Sequence, residues 1–272
     1  MAALTVASPL LDEQRRHRIA IQAVGAARRQ AQAGRIPCRD LLAPARSLRA
    51  PLSGPASHMR LELTEVRCAA LTRGAGAMSD EITFGGAALL PDLTTRALGP
   101  FSLPPFPSEG EVRVFTPPID VRTFGLGPSF AQGCVAVLQA CENDGLGGPE
   151  RIPELLEEVV GEVKAGVLAA LGVSPTQRPR ALPIIEEVGR VLELMRERPD
   201  GPSDLLDELF TGMGQDHAFF THACVSTVIG SPAVPFPDGA AVGRVHEATF
   251  SRRGPMQKGA YTFRLQFAAL SA

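Results

Sequence analysis

The chain has 272 residues, with 27 basic and 29 acidic side chains for a net charge of −2, and 44% of it is hydrophobic. That near-neutral balance gives no electrostatic footprint for nucleic acid or an anionic membrane, and the composition is that of a globular chain rather than a disordered one. No apolar run reaches the roughly 18 residues of a membrane-spanning helix, and one Tyr with no Trp leaves no stacking platform for single-stranded nucleic acid.

Residues 9–33 read as a helix, with Ser8 as cap and Pro9 at the first helical position. Acidic and basic side chains (Asp12, Glu13, Arg15, Arg16) follow at once on the short apolar start. That is not the layout of a secretory signal, so a cytoplasmic protein is expected. Residues 34–58 are rich in Pro, Arg, Ala and Ser and read as a linker. The first 58 residues hold nine basic and three acidic side chains, net +6, against −8 for the remainder. The expected organisation is therefore a basic N-terminal helix and Pro-rich linker at 1–58, serving as a docking arm, and a β-sandwich domain at 59–272. The arginine richness of the whole chain (only Lys164 and Lys258 are lysine) fits a GC-rich bacterial genome and is no evidence of phosphate recognition.

From Met59 the pattern changes to period two. Leu61 and Leu63 alternate with Arg60, Glu62 and Thr64, which predicts a half-buried strand. Further strands are predicted at Ile82–Leu90, Val112–Phe115, Val121–Phe124 and Cys134–Ala140, the middle two separated by Pro117 and Pro118. A helical insert then spans about 152–212. Leu155, Leu156, Val159, Val160, Val163 and Val167 recur at helical spacing, as do Ile184, Ile185, Val188, Val191, Leu192 and Met195, and Ser203 caps a short third helix. Strands return at 218–229, 244–251 and 260–269, where Tyr261, Phe263, Leu265 and Phe267 alternate with polar residues. The fold class is α+β, mainly β: an antiparallel sandwich interrupted by helices and preceded by one.

The stretch Met59–Leu90, with Ser79-Asp80 opening its second strand, resembles the start of a C2-type β-sandwich. The segment Val135–Gly148 is similar to that family's later strand and acidic, Gly-containing loop. The arrangement is also similar to a group of uncharacterised bacterial proteins with a Cys-containing first strand, an SDEI-like turn, a helical insert and a closing aromatic strand. Here those are Cys68, Ser79–Ile82, residues 152–210 and Tyr261–Phe267. The resemblance implies a partial calcium site from Asp80, Glu142 and Asp144. The earlier carboxylate expected in the first loop is missing, because Thr72–Met78 contains Arg73 and no acid. Calcium wants six to eight oxygens, so micromolar binding is not expected.

The five cysteines form no CxxC pair, which points to a reduced compartment rather than a zinc or disulfide framework. His222 and Cys224 would share a strand face while His217 takes the other, so Asp216, His217, His222 and Cys224 are not expected to converge on one metal. No nucleophile elbow, phosphate-binding loop or HExxH motif occurs. The expected function is a non-catalytic binding or structural module that meets a protein partner through the sandwich loops and the basic arm. Two alternatives stand beside it: a membrane-active, toxin-like protein using the inserted amphipathic helices, and an enzyme of unknown type.

Overall fold

The computed structural model describes residues 13–32, 56–72, 79–125, 132–142, 149–173, 181–197, 223–229, 245–253 and 258–271. In chain order these form α1 (Glu13–Gln32), β1 (Ala56–Ala70), β2 (Ile82–Leu89), β3 (Thr95–Ser102), β4 (Val112–Gly125) and β5 (Gln132–Glu142). A 3-10 turn at Pro149–Arg151 leads into α2 (Ile152–Ala170), followed by α3 (Ala181–Glu197), β6 (Ala223–Ile229), β7 (Val245–Arg253) and β8 (Lys258–Ser271). The strands make two antiparallel four-stranded sheets, ordered β4-β1-β8-β7 and β3-β2-β5-β6. The α+β sandwich expected from the period changes is the architecture observed. The third helix expected from Ser203 lies outside the described residues.

Two strands differ from expectation. Val112–Phe115 and Val121–Phe124 are one strand, not two, because Pro117 and Pro118 sit on the sheet's edge, where a missing N–H breaks no ladder. Thr95–Ser102 carries Gly99 and Pro100 and no clean alternation, yet it pairs with β2 as the other sheet's edge.

The two sheets enclose one core. Met59, Leu61, Leu63, Tyr261, Phe263, Leu265 and Phe267 face Phe84, Ala88, Cys134, Ala136 and Leu138 across it. Phe263 lies edge-on to both Phe84 and Phe250, with ring centroids 5.3 and 4.8 Å away. A second core forms on the far side of β2 and β5. There Ala87, Leu89, Val135 and Val137 meet the apolar stripes of the helices, including Val159, Val163, Ile184 and Val188. α2 covers β2 and β3, and α3 covers β5 and β6. Pro153 at the start of α2 sits so close to the sheet that a Cβ on Gly85 would lie 2.9 Å from its Cγ. Gly172, at φ +68°, ends α2 in a Schellman arrangement, its N–H donating to Ala169 and that of Val173 to Leu168. The apolar faces of the inserted helices are thus interior surface.

The basic N-terminal helix is not a tethered arm. Ile19, Ala23, Ala26 and Ala27 are buried and belong to the helix-side core. α1 packs chiefly on α2 and also on α3. A Cβ on Gly166 would lie 2.7 Å from that of Ala23, so the glycine is what allows the two helices to close. The division at residue 58 therefore separates α1 by sequence from a body to which it is packed, because its alanine-rich face is apolar enough to bury despite the arginines on its other side. Linker residues 33–55 lie outside the described residues.

Candidate functional site

Asp80, singled out as a calcium ligand, is fully buried in one end of the inter-sheet core. Its Oδ2 accepts the Thr72 backbone N–H at 2.7 Å and the Tyr261 hydroxyl at 2.6 Å, and its Oδ1 accepts the Thr72 hydroxyl at 2.9 Å. Its backbone pairs in both directions with Phe106, whose ring lies edge-on to Tyr261. The Cys68 thiol completes the group through a hydrogen bond with Tyr261. Burial pushes the Tyr261 hydroxyl well above its ordinary range, and the Asp80 and Cys68 hydrogen bonds add to this, so it is a permanent donor. Burial likewise raises the Cys68 thiol. β1 and β8 belong to one sheet, while Asp80 leads into β2 of the other. The cluster is a polar clasp between the sheets, its oxygens turned inward to protein donors rather than toward a loop cation.

Glu142 ends β5, opposite Ile82, and is buried. Asp144 lies outside the described residues, as do Asp216, His217 and His222, while Cys224 falls in β6 opposite Val137. Among the described residues no three His, Cys, Asp or Glu side chains gather closely enough to hold a metal. Cys134 faces the inter-sheet core and Cys141 the helix-side core. Burial pushes both thiols up, Cys141 to about 12, so they behave as small hydrophobes rather than nucleophiles.

Among the described residues, the chemistry presented to the outside is concentrated on the outer face of β4-β1-β8-β7, on which no described helix packs. The registers set its side chains in rows across the strands. Val114, Glu65, Arg264 and Glu247 form one row, and Asp120, Glu62, Gln266 and Val245 the next. Arg264 donates to Glu247 through Nε at 2.9 Å and to Glu65 through Nη1 at 3.3 Å. The Glu247 hydrogen bond, with the charge of Glu65, holds its guanidinium more firmly protonated than usual. Glu62, although on the outer face, is only 3% exposed. Arg60 Nε donates to its Oε1 at 2.6 Å and Gln266 Nε2 to its Oε2 at 2.8 Å. Thr249 and Thr262 bond across β7 and β8 at 3.2 Å. Val112 and Val114 on β4 and Val245 on β7 are three of the four large exposed hydrophobic residues among the described residues. The result is a pre-ordered, mixed-sign lattice with apolar edges.

One further group stands apart. On α3, Glu187 is fully buried, with Oε2 accepting from Arg190 at 3.1 Å and Oε1 meeting no donor among the described residues. Desolvation raises its carboxyl above the ordinary value, with Arg190 opposing and Glu186 adding to the rise. The helical periodicity signalled the apolar stripe but gave no sign that a glutamate was caught in it.

The sequence held half of the sheet-face pattern, in the alternation of Arg60 and Glu62 and of Thr262, Arg264 and Gln266. Only the register could show that these strands adjoin. No helix among the described residues is long and apolar enough to cross a membrane. Comparison with protein-family models, with curated proteins and with solved structures finds no match to the chain.

Proposed function

We propose that the chain is a non-catalytic binding or structural module that meets a protein partner on the outer face of β4-β1-β8-β7. One observation carries this: among the described residues the two sheets are treated unequally, one roofed by helices and the other without a helix upon it and with its charged side chains already fixed in rows. Side chains ordered beforehand lose little freedom on docking. The alternation of sign along the Glu65–Arg264–Glu247 row, beside the acidic pair Asp120 and Glu62 in the next, suits a protein surface of matching pattern and disfavours a phosphate backbone, which needs a positive surface throughout. Buried, free Cys68, Cys134 and Cys141 accord with a cytoplasmic setting. A membrane-active role would require α2 and α3 to leave the core they share with β2 and β5, exposing Val159, Val163, Ile184 and Val188.

The test is site-specific photo-crosslinking in cells, with the probe at Val114 or Thr262 on the open face and at Ala169 on α2 as comparison. A discrete adduct is expected from the first two positions and is expected to be lost with Arg264→Glu. Failure of both Val114 and Thr262 to give an adduct, or adducts from these two positions that survive Arg264→Glu unchanged, would overturn the assignment.

A further inference from the structure

The two signs of charge in the helical layer are carried by different helices. α1 has five arginines against one glutamate, and α2 has four glutamates against one lysine. They lie side by side and run in the same direction, with Arg16 level with Glu158 and Ala23 level with Gly166. α1 turns Gln14, His17, Arg18, Ile21, Arg28 and Arg29 outward, with Ile21 57% exposed in the middle of the basic stripe. α2 exposes Glu154, Ala165 and Ala169 and half-exposes Glu157, Gly161 and Glu162.

We propose that this layer is a homodimer interface, in which α1 of one copy lies on α2 of the other about a two-fold axis parallel to the helices. A positive stripe beside a negative stripe is complementary to itself under that rotation. A two-fold axis running across the helices would instead stack α1 on α1. The axis preserves level along the helices, so the partners follow from the contacts above. Gln14 and Arg18 meet Glu157 and Glu162 of the second copy. Ile21 meets its Gly161 and Ala165, which are small enough to admit it. Arg28 and Arg29 reach the C-terminal end of its α2, where the helix dipole favours a cation and the last turn supplies none of its own. The dimer stands independently of the sheet-face proposal. If both hold, the two open sheets point away from each other and the assembly is bivalent.

The test is light scattering on the full chain at about 0.1 mM, with two charge-reversed variants. These are Gln14→Glu with Arg18→Glu on α1, and Glu157→Arg with Glu162→Arg on α2. The wild type is expected to be a dimer whose dissociation constant rises about tenfold or more between low salt and about 0.5 M salt. Each variant, still melting cooperatively, is expected to be monomeric, and an equimolar mixture of the two to dimerise, because each supplies the sign the other has lost. A wild type that is monomeric at low salt would overturn the proposal. So would a reversed variant that remains dimeric, or a mixture of the two variants that remains monomeric.

Discussion

Tyr261→Phe isolates the clasp between the sheets. The substitution removes one oxygen and leaves the ring, so the edge-on contact with Phe106 at 5.2 Å and the burial of the side chain are kept. What is lost is the 2.6 Å hydrogen bond to Asp80 Oδ2 and the hydrogen bond shared with Cys68. Asp80 is fully buried, so no water replaces the missing donor at its surface. A hydrogen bond to a charged acceptor contributes about 1.5–3 kcal/mol, and stranding its buried partner adds to the cost. Unfolding in urea is expected to show a loss of about 2–3 kcal/mol with an unchanged slope. Asp80→Ala removes three hydrogen bonds at once and is expected to cost about 3–5 kcal/mol, and the double variant less than the sum, since the two residues share one bond. Phe263→Ala, a pure packing loss in the same core, is expected to cost about 3–5 kcal/mol and calibrates the scale. A change below about 0.5 kcal/mol for Tyr261→Phe would refute the clasp, because a surface hydroxyl behaves that way.

Three further outcomes follow from other parts of the structure. Deleting residues 1–55, which leaves β1 whole, is expected to lower the unfolding free energy by about 3 kcal/mol or more, since burial of Ile19 alone is worth about 1.5–3 kcal/mol; an unchanged urea midpoint would show that α1 is dispensable. Glu187→Gln is expected to stabilise the protein at neutral pH. The folded carboxyl binds its proton more tightly than the unfolded one, so wild-type stability is lost as pH rises through the raised value and recovered as pH falls toward the ordinary 4.5; melting curves of the two proteins between those limits should converge on the acid side. Micromolar calcium is expected to leave the melting temperature unchanged, because Asp80 spends its oxygens on Thr72 and Tyr261; saturable calorimetric binding abolished by Asp144→Ala would contradict this.

The contrast between the two sheets shows what the chain encodes locally. The strict alternation of Tyr261–Phe267 marks a strand with one wet face, and β8 has one. The nearly continuous apolar runs of β2 and β5, interrupted only by Thr83 and Gln139 within Ile82–Leu89 and Cys134–Cys141, mark strands covered on both sides. The glutamate-lined helices with apolar stripes were equally legible, because side-chain periodicity is a property of neighbours in sequence. The same local information could not place Asp80, which earned attention as half of a loop site and proved to be bonded to Tyr261, 181 residues away. Nor could it show that a helix with five arginines would bury its alanines against Gly166, or that Glu65, Arg264 and Glu247 would line up across three strands. Hydrophobic periodicity decides which face of an element is buried. Which elements meet, and therefore which polar groups find one another, is decided by strand register and helix packing between residues far apart in the chain, and only the folded structure contains it.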